Sequence, residues 1–132
     1  MRKWLSLTIA IAVLAGAGSR LAAHHSFAAT YLEDDLIEVA GEVVEFRYEN
    51  PHSWLFVRGA EVGGTGSTKV FGAEWVGTAA LERQYIEKDT LKSGDRVRIW
   101  GSPSKNPSEA KLHLKRIERS DGWKWQGRQA PR

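Results

Sequence analysis

Apolar and polar residues alternate from Leu36 to Tyr48, and four shorter runs rich in apolar residues follow up to residue 117; both patterns are typical of β-strands. In the first of these strands the apolar positions are odd-numbered up to Val43 and even-numbered from Val44. A one-residue slip in a period of two predicts a β-bulge that bends the strand. These patterns predict five strands, at residues 36–48, 53–58, 69–76, 96–101 and 110–117.

Turn and helix signals separate these strands. Asn50-Pro51 ends the first strand, the glycine-rich residues 63–67 predict a hairpin loop, and Thr78 opens a helical spacing that fades near Ile86. Three strands, one short helix and two further strands is the element order of an OB-type barrel. We therefore predict a mainly β fold: a small five-stranded OB-like barrel with one short helix between strands three and four. Another five-stranded barrel and an α+β roll are the alternatives.

The first 23 residues have a different character. Arg2 and Lys3 precede an apolar run from Trp4 to Ala17, and the segment ends on the small residues 22–23. This pattern is typical of a cleaved secretory signal peptide, because a membrane anchor needs about 20 apolar residues. We expect no transmembrane segment in the mature chain. The predicted organisation is a signal peptide at 1–23, an N-terminal arm at 24–35, the barrel at 36–122 and a C-terminal tail at 123–132.

Composition narrows the class of protein. The 132 residues include no Cys, which excludes a disulfide framework, a thiolate nucleophile and a zinc-finger site. The net charge of +3 belongs to the predicted signal, since residues 1–23 hold three of the 19 basic residues and none of the 16 acidic ones. A mature chain of balanced charge does not favour nucleic acid as a partner. Without Cys or an Asn-x-Ser/Thr sequon, the expected destination is a bacterial periplasm.

Four motifs carry a resemblance to a known family. They are His24-His25-Ser26-Phe27, Gly41-x-Val43, Asn50-Pro51-His52-x-Trp54 and Leu91-Lys92-x-Gly94-Asp95-x-Val97. On these motifs the chain resembles a family of small exported bacterial proteins of unknown function. The resemblance covers nearly all of the mature chain and implies export and a β-barrel-like domain, but no activity. The chain departs from the family's pattern at Trp75, at Gly77 and in the tail that contains Trp123 and Trp125.

Histidines near the predicted mature terminus form a candidate metal site. Cleavage after Ala23 would make His24 the first residue, with an α-amine whose pKa is about 7.7–8.0. That amine and the His24 imidazole would form a chelate, to which His25 or His52 could add an imidazole. Nitrogen donors in a plane suit Cu(II), so copper is the predicted ion. Cleavage after Ala17 would abolish the chelate, and the alternative is an exposed arm that binds nothing specifically.

The other two histidines have simpler interpretations. His52 follows Asn50-Pro51, where the Asn side chain is expected to bond its own backbone and close a turn. His52 is then either a packing residue of that turn or a ligand at the rim of the barrel. His113 alternates with Leu112 and Leu114, so we expect a solvated strand residue there.

Aromatic and basic residues suggest a second kind of site. Arg96, Arg98 and Trp100 alternate with apolar residues and should point outward, and an outward aromatic beside cations is how OB-type surfaces stack rings. Trp54 completes this candidate ligand-binding set. The favoured alternative is that Trp123 or Trp125 of the tail covers Trp100. The basic excess of residues 92–132, eleven bases against four acids, either pairs with the acidic residues 24–62 or offers a face for anions.

The sequence offers little for enzyme chemistry. It contains no Gly-x-Ser-x-Gly elbow, phosphate-binding loop or His-Glu-x-x-His helix. Glu49, Glu74 and His52 could meet as an acid–base set, but no spacing requires it. We expect a periplasmic, non-enzymatic binding protein that holds copper through His24, His25 and His52. The alternative is a metal-free interaction module that binds a protein or a small anionic ligand through the Arg96, Arg98 and Trp100 face or the Gly63–Gly66 loop.

Overall fold

The structure, a computed structural model, describes residues 27–128. Residues 27–30 are helical. The remaining described elements are six strands and one helix, α1 (Thr78–Glu82), which lies between β3 and β4. The strands are β1 (Ile37–Arg47), β2 (Trp54–Glu61), β3 (Lys69–Glu74), β4 (Arg96–Pro103), β5 (Lys111–Arg119) and β6 (Lys124–Gln126). The five predicted strands and the helix between the third and fourth are confirmed, with boundaries that differ by a few residues.

The strands close into a barrel. Their order is β3-β2-β1-β4-β5-β6, and a further pairing between β3 and β5 joins the ends of the five-stranded part. Neighbouring strands are antiparallel except at this closure, where Gly72–Glu74 run parallel to Lys111–His113. The predicted OB-like barrel is confirmed, with β6 as an extra strand.

Alternation along the strands sends one side of each strand into a continuous core. Most inward positions are aliphatic or aromatic residues, while most of their outward neighbours are polar or half-exposed. Its largest fully buried side chains are those of Trp75, Leu55, Leu81, Ile86, Leu91, Ile99, Leu112 and Ile117.

The predicted bulge in β1 is confirmed. Opposite β2, the register passes from Val43 to Glu45, so that Val44 is the extra residue. Two glycines allow the same pair of strands to approach closely. Gly41 lies opposite Gly59, and a Cβ on either would stand 2.2 Å from a carbonyl oxygen of the other strand. The bulge and this glycine pair let the long first strand bend enough to serve both β2 and β4.

Helix α1 is short and ends in a Schellman motif. The amide of Ile86 bonds the carbonyl of Leu81 at 3.0 Å, and the amide of Tyr85 bonds that of Glu82 at 3.0 Å. Ile86 and Leu81 are both buried, as the motif requires of its apolar pair. The residue between them in the motif, Tyr85, has φ of 59°, a backbone conformation usually taken by glycine. None of the helices among residues 27–128 is long and apolar enough to cross a membrane.

Part of the predicted tail belongs to the sheet. Residues 124–126 pair with Arg116–Glu118 as β6, a strand too short to show a period in the sequence. β6 presents Trp125 edge-on to Trp75, with ring centroids 4.6 Å apart, and the indole Nε1 of Trp125 donates to Gln84 Oε1 at 2.8 Å. These contacts hold β6 against the core residue Trp75 and the turn after α1.

Candidate functional site

The loop that carries His52 is tied to the start of α1. The side chain of Asn50 donates to Thr78 Oγ1 at 2.9 Å and accepts from the Thr78 amide at 3.0 Å, so the expected bond to its own backbone is wrong. The peptide bond between Asn50 and Pro51 is cis. A Cβ on Gly77 would stand 2.6 Å from the Pro51 carbonyl oxygen, which explains why glycine occupies this position. These contacts hold the loop that precedes β2, in which His52 lies.

His52 is held by a carboxylate. Its Nδ1 lies 2.6 Å from Glu74 Oε1, while the other carboxylate oxygen, Oε2, accepts the Tyr31 hydroxyl at 2.5 Å. Tyr31 is only 1% exposed, and this burial, with the hydrogen bond to Glu74, holds the pKa of its hydroxyl above the usual 10. Of the predicted acid–base set, His52 and Glu74 therefore meet. Glu49 is exposed, and its backbone bonds the buried Ser53 Oγ.

A second ionic cluster lies beside the first. Glu33 accepts from His113 Nδ1 at 2.9 Å and from Lys115 Nζ at 2.6 Å. The expectation that His113 is a solvated strand residue is wrong, because its side chain is only 15% exposed. Lys115 is buried because it occupies a bulge in β5, where the register to β4 passes from Arg116 to Leu114.

These contacts have opposing effects on proton binding. Burial raises the pKa of Glu33, but the hydrogen bonds from Lys115 and His113 outweigh it, so the pKa lies below 4.5. Burial, reinforced by the charge of Lys115, holds the pKa of His113 below 6.5 despite its bond to Glu33. At neutral pH the cluster thus pairs one carboxylate with one ammonium group and a neutral imidazole.

Both clusters lie along the seam where the barrel closes. Glu74 of β3 is the register partner of His113 of β5, and the Tyr31 ring packs 5.9 Å from the His113 ring. The segment that contributes Tyr31 and Glu33 is also held by its backbone, through a bridge between Tyr31 and Ser104. We call the four side chains of Tyr31, Glu33, Glu74 and His113 the seam cluster. The sequence carried no periodic signal for Tyr31 or Glu33, so it did not predict this cluster.

Trp54 lies on the outer face of the barrel, next to the seam. It is opposite Glu74 in the β2–β3 register and stacks on Phe56 with ring centroids 6.3 Å apart and planes 21° apart. Gly72 leaves room for both rings, and the guanidinium of Arg47 covers Phe56 at 4.8 Å. Trp54 thus lies near His52 and Glu74. The other predicted ligand-binding residues lie on β4, which β1 separates from the strand of Trp54.

Arg96, Arg98 and Trp100 point outward, as their alternation predicts. Two guanidinium groups cover the Trp100 ring, that of Arg98 at 5.6 Å and that of Arg116 at 4.5 Å. The expected cover by the tail is not what the structure shows, because Trp125 packs on Trp75 and the Trp123 ring lies 5.4 Å from the Arg119 guanidinium.

Charges on this face are largely matched. Arg98 Nε donates to Glu38 Oε1 at 2.6 Å, and Arg116 donates to Glu118. A shallow groove of about 420 Å³ runs beside them, lined in part by Ala40, Gly41 and Arg96. Carboxylates of β1 and β5 thus neutralise Arg98, which belongs to the predicted ligand-binding set, and its neighbour Arg116.

The candidate copper ligands fall partly outside the described residues. His24 and His25 lie before residue 27, so their positions are not described. Within residues 27–128, no group of three or more His, Asp or Glu side chains is arranged to hold a metal ion. His52 is the described member of the predicted set, and Glu74 orients its ring.

The fold and its seam define a small OB-like β-barrel protein whose barrel is closed by a parallel pairing and lined there by histidine–carboxylate pairs. This chain belongs to the family of unknown function DUF6152, whose family model matches residues 11–113. No curated protein and no solved structure matches this chain.

Proposed function

We propose that this protein is a periplasmic, non-enzymatic binding protein that takes up one Cu(II) ion, with His24, His25 and His52 as its ligands. The observation that carries the proposal is the contact between His52 Nδ1 and Glu74 Oε1 at 2.6 Å. Metal-ligating imidazoles almost always engage a carboxylate, carbonyl or water through their second nitrogen. When Nδ1–H is donated to Glu74, the neutral ring carries its lone pair on Nε2, the atom that would bind copper.

The other donors in the proposal come from the N-terminal histidines. An α-amine and an imidazole on His24 form a chelate suited to Cu(II), and His25 adds a second imidazole. His113 is not included because the ammonium group of Lys115 bonds the same carboxylate, that of Glu33, as its Nδ1 does. A nearby cation disfavours a second positive charge at that position.

Native mass spectrometry of the chain exported and processed in its own cell, with one equivalent of Cu(II), tests this proposal. We expect a chain that begins at His24 and retains one copper ion. His52→Ala and an added N-terminal residue should each weaken retention, whereas His113→Gln should not. A chain that begins at His24 and retains no copper would overturn the proposal.

A metal-free interaction module is the second candidate. It is favoured by the exposed Arg96 side chain in the groove beside Arg98, which could accept an acidic group of a protein or a small anion. Titration with citrate, followed by amide chemical shifts, would test it. Shifts confined to Arg96 and its neighbours, unchanged by His52→Ala, would support the module; no shift at millimolar citrate would reject it for small anions.

A further inference from the structure

Tyr85 combines an unfavourable backbone with a side chain that does not contribute to the core. Its φ of 59° places it in the left-handed region, where a Cβ meets steric resistance and glycine is the usual residue of a Schellman motif. The residue is 92% exposed. Folding therefore gives no reason for tyrosine at this position, and an unfavourable backbone conformation retained without a packing gain points to a function of the side chain.

Tyr85 lies at the edge of a groove that carries charges of both signs. The groove has a volume of about 670 Å³ and is also lined by Asp89, Lys92, Arg96, Arg119 and Trp123. Arg119 is satisfied by Asp121 at 3.0 Å and Asp95 at 3.3 Å. In contrast, Asp89, Lys92 and Arg96 are exposed and form no ion pair within residues 27–128.

We propose that this groove is the contact surface between two copies of the chain. A two-fold interface joins the same surface of both protomers, so that if one residue contacts a second residue of the partner, the second also contacts the first of the partner. A surface with unpaired charges of both signs can therefore be complementary to itself. Asp89 of one protomer would pair with the partner's Lys92. Tyr85 would enter the partner's groove and stack on the guanidinium of Arg96. A purely acidic or purely basic partner would instead bring like charges together, which disfavours it.

Sedimentation velocity of the mature chain over a concentration series tests the proposal. We expect a monomer–dimer equilibrium that Tyr85→Gly weakens by about tenfold, the loss expected when an aromatic side chain that enters the partner's groove is removed. Val62→Ala is the matched control, since Val62 is also an exposed apolar residue but lies on the β2–β3 hairpin. It should leave the dissociation constant unchanged.

Charge reversal makes the pairing itself testable. Asp89→Lys and Lys92→Asp should each abolish self-association, because each places like charges opposite one another. An equimolar mixture of the two variants should associate again, since both contacts then join opposite charges. A wild-type chain that is monomeric at every concentration, a Tyr85→Gly dimer of unchanged affinity, or a mixture that remains monomeric would each overturn the proposal.

Discussion

Replacing Tyr85 by glycine should stabilise the protein. The left-handed conformation costs an L-residue roughly 1–2 kcal/mol that glycine does not incur. The additional freedom of glycine in the unfolded chain offsets about 0.4–1 kcal/mol of this. Because Tyr85 is 92% exposed, its replacement loses little apolar burial. The net expectation is an increase of about 0.5–1 kcal/mol in the free energy of unfolding.

Urea unfolding followed by tryptophan fluorescence, at concentrations where the chain is monomeric, measures this change. A melting experiment should show a rise in Tm of roughly 2–8 °C for a domain of this size. Tyr85→Ala is the matched control, because it removes the ring but keeps the Cβ that opposes the left-handed backbone. We expect its stability to lie within about 0.5 kcal/mol of the wild type.

The decisive comparison is between the two variants. If Tyr85→Gly were no more stable than Tyr85→Ala, the left-handed backbone would not be costly at this position. If both were markedly less stable than the wild type, the ring would contribute to folding. Either result would refute the argument that tyrosine is retained for something other than stability.

Three further outcomes follow from the seam cluster, from Lys115 beside it and from the loop of His52. Lys115→Met should destabilise the fold by about 1–3 kcal/mol in urea titrations, because Glu33 loses a buried partner. As a control, Arg47→Ala breaks an exposed ion pair and should change stability by less than about 1 kcal/mol. Stability should fall as the pH drops below 6.5 towards the lowered pKa of folded His113, because the unfolded state binds the proton more readily, and should fall again as the pH drops from 4.5 through the lowered pKa of folded Glu33. His113→Gln should remove the first decline and Glu33→Gln the second. A flat wild-type profile of stability between pH 3 and 7 would contradict both expectations. Gly77→Ala should lower the free energy of unfolding by roughly 1–3 kcal/mol and shift the amide resonances of residues 50–53, since the new Cβ would stand 2.6 Å from the Pro51 carbonyl oxygen. Unchanged resonances at residues 50–53 would show that Gly77 does not fix the loop.

Local patterns in the sequence predicted the local structure well. Alternation identified the outward direction of Arg98 and Trp100, and a slip of one residue located the bulge at Val44. Each of these features depends on neighbours in the chain, so a short window of residues contains the necessary information.

The seam cluster could not be predicted in this way, because its contacts join distant parts of the chain. Glu33 and His113 are 80 residues apart, and Tyr31 and Glu74 are 43 apart. The burial of Lys115 depends on a bulge in β5 that the mixed pattern of that strand did not reveal. Of the residues near the seam, the sequence singled out His52 and Trp54 from a motif, and Glu74 as one of several carboxylates.

Two strands, β3 and β6, pair with the same edge of β5, and this affects the order in which the barrel can form. β3 occupies the first part of that edge and β6 the second, and both β5 and β6 follow the other strands in the chain. During synthesis, β1 to β4 emerge before the strand that closes them, so the barrel cannot close until residues 111–119 have left the ribosome. Until then, the edges of β3 and β4 that pair with β5 have no partner strand in the barrel.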